Sequence, residues 1–209
     1  MGVTVKICGL STPEAVDAAL AAGADMVGFV SFDKSPRHLS LDRLRRLSRQ
    51  VGDRALRVVL TVDADDATLG AIAALEPSML QLHGRETPER VAAIRARFGT
   101  KVIKALPIAD PEDLARVALY EPVADMLLFD ARPPAKAVLP GGNGLAFDWR
   151  LLQGLDLGKP WLLAGGLDAE NVAAALTMTR APGVDVSSGV ECQTGVKDLA
   201  KIRSFVAAV

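Results

Sequence analysis

The chain has 209 residues, half of them hydrophobic and 23% charged, which is the make-up of one globular domain rather than of a disordered or fibrous chain. Lys and Arg together number 24 against 25 for Asp and Glu, a net charge of −1 that excludes the basic surplus of a general nucleic-acid or anionic-membrane binder. No apolar run approaches the roughly 18 residues of a membrane span. The opening Met1–Lys6 carries no secretory pattern, and Lys6 stands where a myristoylation signal needs Ser or Thr, so a cytoplasmic location is expected. Two cysteines and two histidines make neither a disulfide framework nor a zinc spacing, so no metal is expected.

Eight short apolar runs punctuate the chain: Val5–Cys8, Met26–Val30, Val58–Val62, Met79–His83, Val102–Leu106, Met126–Asp130, Trp161–Ala164 and Val184–Ser187. They are continuous rather than alternating, as parallel strands covered on both faces require. Helix starts lie between them. Thr12-Pro13-Glu14, Thr87-Pro88-Glu89 and Asp110-Pro111-Glu112 each place a capping oxygen, a proline with the correct φ and an acid at the positive end of the dipole. Ser40 begins a helix with Leu41, Leu44, Leu47 and Val51 on one face, and Asp168 is a weaker start. Gly23, Gly52 and Gly99 are natural helix terminators. This pattern predicts an α/β fold, a single (β/α)8 TIM barrel over residues 1–209, with a doubly wound open sheet as the structural alternative. Two long loops, Ser31–Leu39 and Ala131–Phe147, follow the second and sixth runs, and loops of that length in a compact domain usually serve function.

In such a barrel, chemistry belongs at the C-terminal ends of the strands. Gly165-Gly166 follows the seventh run and Ser187-Ser188-Gly189 the eighth, the usual pair of phosphate-holding loops: glycine brings backbone N–H groups close to an anion and hydroxyls add donors. Gly142 and Asn143, within Gly141-Gly142-Asn143-Gly144, lie on the sixth loop as a lid or a backbone wall against substrate, or as a plain flexible turn. Cys8 ends the first run. Such a cysteine is often inert core, but Lys6 two residues earlier shares its side of the strand, and an ammonium there favours thiolate. Asp130 ends four apolar residues with no helix close behind, so it reads as a buried acid able to hold a proton. Thiolate and acid together suit proton movement at two places on one substrate. Arg37, on the second loop, is either a surface residue or a bidentate ligand for a carboxylate, and His83 is either a structural histidine or a ligand contact.

Taken together, Val5-Lys6-Ile7-Cys8-Gly9, Ser35-Pro36-Arg37, Gln81-Leu82-His83-Gly84, Asp130, Gly141-Gly142-Asn143-Gly144, Ala164-Gly165-Gly166-Leu167 and Asp185-Val186-Ser187-Ser188-Gly189-Val190-Glu191 resemble the phosphoribosylanthranilate isomerase family of tryptophan biosynthesis, over nearly the whole chain. The resemblance implies a barrel without metal or organic cofactor, acting as monomer or homodimer on a small phosphorylated substrate. It implies an Amadori rearrangement of N-(5′-phosphoribosyl)anthranilate, with Cys8 as general base, Asp130 as general acid, Arg37 on the anthranilate carboxylate, and Gly165, Gly166, Ser187 and Ser188 around the phosphate. Asn143 departs from the Thr or Ser common in the family at that place. The alternatives are the related aminoaldose isomerase of histidine biosynthesis, against which Cys8 argues, and a non-catalytic phosphosugar-binding barrel. Lys104 in the fifth run is a faint hint of indoleglycerol-phosphate synthase.

Overall fold

A computed structural model describes residues 2–133, 141, 142, 144 and 146–209. Asn143, and the expectation attached to it, lie outside them. The eight apolar runs are strands: β1 Thr4–Ile7, β2 Met26–Ser31, β3 Leu56–Thr61, β4 Met79–Leu82, β5 Lys101–Ile108, β6 Met126–Ala131, β7 Trp161–Leu163 and β8 Gly183–Val186. All neighbours pair in parallel and in chain order, and β8 returns to β1 to close the barrel. This closure rules out the open doubly wound sheet.

Helices α1 Pro13–Ala22, α2 Leu41–Val51, α3 Asp66–Ala73, α4 Pro88–Phe98, α5 Val117–Tyr120, α6 Val172–Thr179 and α7 Leu199–Ala208 surround it. The Thr12, Ser40 and Thr87 side chains accept from the amides of Ala15, Arg43 and Arg90, as the capping pattern predicts. Two starts differ. Asp110 opens a 3-10 turn, Pro111–Arg116, ahead of a one-turn α5. Asp168 spends its carboxylate on the amides of Glu170 and Asn171, so α6 begins only at Val172. After β6, a 3-10 turn at Trp149–Leu152 stands where an eighth helix would pack.

Side chains alternate across each strand. On the outside, Ile7, Phe29, Leu80, Leu127, Phe129 and Val184 meet Val16, Leu44, Val91, Ile202 and Phe205 from the helices in one core. On the inside, Met26, Val58, Met79, Ile103, Ala105, Leu128, Leu162 and Ala164 fill the barrel with apolar layers. The same alternation carries Lys6 and Cys8, Gln81 and His83, Asp130, and Asp185 and Ser187 inward, above those layers. The barrel therefore has an apolar floor and a polar mouth. Lys104 lies on the opposite side of β5 from Ile103 and Ala105, buried, and pairs with Glu86 at 2.6 Å rather than entering the mouth.

Phe129 is fully buried and meets the Trp161 ring edge-on at 5.4 Å. Phe129→Ala should cost about 3–5 kcal/mol through the cavity it leaves, measured as a lower urea midpoint at unchanged slope.

Candidate active site

Cys8, Arg37, His83, Asp130, Gly142, Gly165, Gly166, Ser187 and Ser188 all line one cavity at the mouth, of about 810 Å³ including its opening to solvent. The first strand supplies the thiol. Lys6, fully buried, holds Asp185 at 2.7 Å across the β1–β8 seam. Burial works against the Lys6 charge, but Asp185 and Cys8 outweigh it and raise the amine above its ordinary value. Gly28 on β2 leaves the necessary room, because a Cβ there would lie 2.7 Å from Cys8 Sγ and 3.1 Å from Lys6 Nζ. The expectation that Lys6 would make Cys8 a thiolate is met only in part. Burial, the largest effect, pushes the Cys8 thiol up; Lys6 pulls it down, and Asp185 pushes it up again. The balance of these effects favours the thiol over the thiolate.

The sixth strand supplies the acid. Asp130 is 8% exposed. Its Oδ1 accepts the Ala131 amide at 2.8 Å, and its Oδ2 lies 3.2 Å from His83 Nε2. The other ring nitrogen of His83 meets Gln81 Nε2 at 3.0 Å. Gly141, from the sixth loop, covers this pair so closely that a Cβ would sit 2.6 Å from His83 Nε2. His83 thus has a structural partner on each nitrogen while still lining the cavity.

Arg37 is 4% exposed and already holds a carboxylate. Its Nε and Nη2 donate to the two oxygens of Glu191 at 2.7 and 2.9 Å, and Nη2 also donates to the Gly142 carbonyl at 3.3 Å. Lys197 and the Gly195 amide complete the shell of Glu191 at 2.8 and 3.0 Å. Burial works to raise the Glu191 carboxyl, but Arg37 and Lys197 hold it below the ordinary carboxylate range. The Nε–Nη2 fork expected for substrate is therefore taken from within, and the Nη1 side is what remains, with no hydrogen-bond partner among the described residues.

The loops after β7 and β8 meet at the cavity. The amides of Gly165 and Gly166 donate to no acceptor among the described residues, as an anion site would need. Lys197 donates to the Ser187 carbonyl at 2.7 Å and to its hydroxyl at 3.2 Å, placing a buried ammonium behind that serine. Gly189 differs from expectation: it does not line the cavity. It packs against the Leu167 carbonyl, where any Cβ would collide, so it lets the two loops approach each other.

A family model described as N-(5′-phosphoribosyl)anthranilate (PRA) isomerase matches residues 5–208. The chain belongs to this family. A relative from Beijerinckia indica named N-(5′-phosphoribosyl)anthranilate isomerase is 64% identical over 209 residues, covering 100% of this chain and 94% of that one. The crystal structure of phosphoribosyl anthranilate isomerase from Thermotoga maritima superposes with a TM-score of 0.89 at 34% identity, covering 99% and 98% of the two chains. A phosphoribosyl anthranilate isomerase in complex with reduced 1-(o-carboxyphenylamino)-1-deoxyribulose 5-phosphate superposes with a TM-score of 0.84 at 33% identity, covering 98% and 97%. The resemblance read from the sequence is borne out, and with it the isomerase class and the barrel.

Glu191, Lys197, Gln81 and Asp185 had no role assigned from sequence. Gln81 and Asp185 were within reach, since each interrupts an apolar strand two residues before another polar one, His83 and Ser187. Glu191 was not, because its arginine lies 154 residues away.

Two outcomes follow from these environments. In a Cys192→Ser background, titrating the ultraviolet absorbance of the Cys8 thiolate should give a midpoint above the ordinary thiol value of about 8.5; a midpoint at or below it would show that Lys6 outweighs burial. Glu191 has a folded-state pKa below its unfolded one. Its contribution is therefore present above the unfolded value of about 4.3 and lost as pH falls through the folded one. Glu191→Gln, which leaves Arg37 and Lys197 buried without their anion, should cost about 3–5 kcal/mol at neutral pH. It should also flatten the acid limb in urea unfolding across pH.

Proposed function

We propose that the chain converts N-(5′-phosphoribosyl)anthranilate to 1-(2-carboxyphenylamino)-1-deoxyribulose 5-phosphate by an Amadori rearrangement in tryptophan biosynthesis. The observation that carries the reading is a carboxyl group and a thiol presented from β6 and β1 into one cavity, beside two loops suited to phosphate. Asp130 donates its proton to the furanose ring oxygen. The C1–O bond breaks, and the anthranilate nitrogen lone pair forms a C1=N iminium. Cys8 thiolate removes the C2 proton, the C–H electron pair becomes C1=C2, and the iminium π pair returns to nitrogen. The resulting enolamine tautomerises, moving the C2 hydroxyl proton to C1 and leaving the C2 ketone. The iminium is the electron sink, so the steps balance without an added reactant. Its positive charge beside Cys8 also favours the thiolate that burial disfavours.

Gly165 and Gly166 amides with Ser187 and Ser188 hydroxyls hold the phosphate, Arg37 Nη1 meets the anthranilate carboxylate, and Gly142 contributes backbone wall. The partner implied is a small phosphorylated substrate met in the cytoplasm by a monomer or homodimer, with no nucleic acid or membrane involved. Among the described residues, no helix is long and apolar enough to cross a membrane.

Turnover is followed as loss of anthranilate-type fluorescence. Cys8→Ser and Asp130→Asn should each lower kcat by about 10²–10⁴, the worth of one proton-transfer step. Folding and phosphate-ligand binding should persist in both. Saturable binding by the wild type without fluorescence loss would replace the enzyme with a binding barrel, and a Cys8→Ser variant with near wild-type kcat would remove the thiolate base.

A further inference from the structure

Gln81 is a polar residue of the mouth that the reaction above does not use. It is fully buried on the inner side of β4, directly above Met79 of the apolar floor. Its Oε1 has no hydrogen-bond partner among the described residues. Leaving a buried carbonyl unpaired is costly, and a leucine at this position would avoid that cost while matching the layer beneath. What the amide supplies in return is the 3.0 Å contact from Nε2 to His83 Nδ1. An amide nitrogen only donates, so Nδ1 must present its lone pair, and the ring proton then sits on Nε2, facing Asp130 Oδ2 at 3.2 Å.

A ring free to carry its proton on either nitrogen would turn either an N–H or a lone pair toward the carboxyl group. We propose that Gln81 is a positioning residue, which fixes His83 as the Nε2–H tautomer and thereby aims the ring's one N–H at Asp130 Oδ2. With Oδ2 turned to His83 and Oδ1 to the Ala131 amide, the plane of the carboxyl is set, and each oxygen keeps a lone pair for the proton it delivers. This inference rests on the reading of Asp130 as the acid.

The test separates the two. The chain has two histidines, so His38→Gln leaves His83 alone in a nitrogen-15 spectrum. In that background, His83 should show a protonated Nε2 and an unprotonated Nδ1. Gln81→Glu replaces the donor with an acceptor and should move a proton onto Nδ1. It should also lower kcat about 10²-fold, the scale of one acid step, with KM little changed. Gln81→Met, similar in length but unable to donate, should let the ring proton divide between Nδ1 and Nε2 and lower kcat less. A wild-type ring protonated on Nδ1 would overturn the proposal, as would Gln81→Glu with wild-type kcat. If Gln81→Glu does not fold, an unchanged His83 spectrum in Gln81→Met would overturn it. A wild type that holds the expected tautomer yet never turns over substrate would leave the Gln81 contact standing and remove the isomerase reading instead.

Discussion

Lys6 and Asp185 are register partners where β8 closes onto β1, and their 2.7 Å ion pair lies inside the barrel. Taking two charges out of water costs several kcal/mol each, and an apolar pair of similar volume would close the seam as well or better. The pair makes sense through what sits above it. Cys8 is one alternation further along β1, and the Lys6 ammonium is the largest influence opposing its burial. Asp185 keeps Lys6 charged, and Gly28 keeps the space between them open. The ion pair at the β1–β8 seam and the electrostatics of the thiol are thus one interaction.

Among the described residues, three further buried ion pairs, Lys104–Glu86, Arg37–Glu191 and Lys197–Glu191, tie loops to the rim. Glu86, paired with Lys104, also accepts the amides of Asp63 and Gly84, while the Tyr120 hydroxyl donates to its carbonyl, so the ends of β3, β4 and β5 are pinned from outside the barrel. Glu191 joins Arg37 of the second loop to Lys197 of the hairpin β9 Glu191–Gln193 and β10 Val196–Lys197, which follows β8. Through Gly142, Arg37 reaches the sixth loop too. A guanidinium suits this junction because its planar fork can bond both oxygens of Glu191 and still leave a side for something else; a lysine could not. Each pair spends stability to hold backbone in place where a substrate would be gripped.

The barrel was legible because parallel strands buried on both faces leave unbroken apolar runs, and because the threonine–proline–acid starts act locally. What escaped depends on distance or on enclosure. Glu191 and Arg37 meet only once the barrel closes, so no local spacing joins them. Cys8 beside Lys6 was visible, but the balance between burial and that charge needs the packed surroundings. Gly189 looked like part of a phosphate loop, whereas its reason is the Leu167 carbonyl on a different strand's loop. Asp168 resembled a helix cap, yet the turn before α6 takes its carboxylate first.

The polar mouth is divided into two hydrogen-bonded groups, and the division has a chemical use. Cys8 answers to Lys6 and Asp185 at the β1–β8 seam; Asp130 answers to His83 and Gln81 on β4, together with the Ala131 amide. No hydrogen bond among the described residues links one group to the other. A base and an acid that shared a partner would titrate together, and the proton taken by one could pass to the other through the protein rather than through the substrate. Placing them on strands several positions apart in the ring, each with its own partners, lets their environments differ, as any site needing a base and an acid at one pH requires. The apolar floor beneath, from Met26 to Ala164, gives the barrel the packing to hold both groups open to the same cavity.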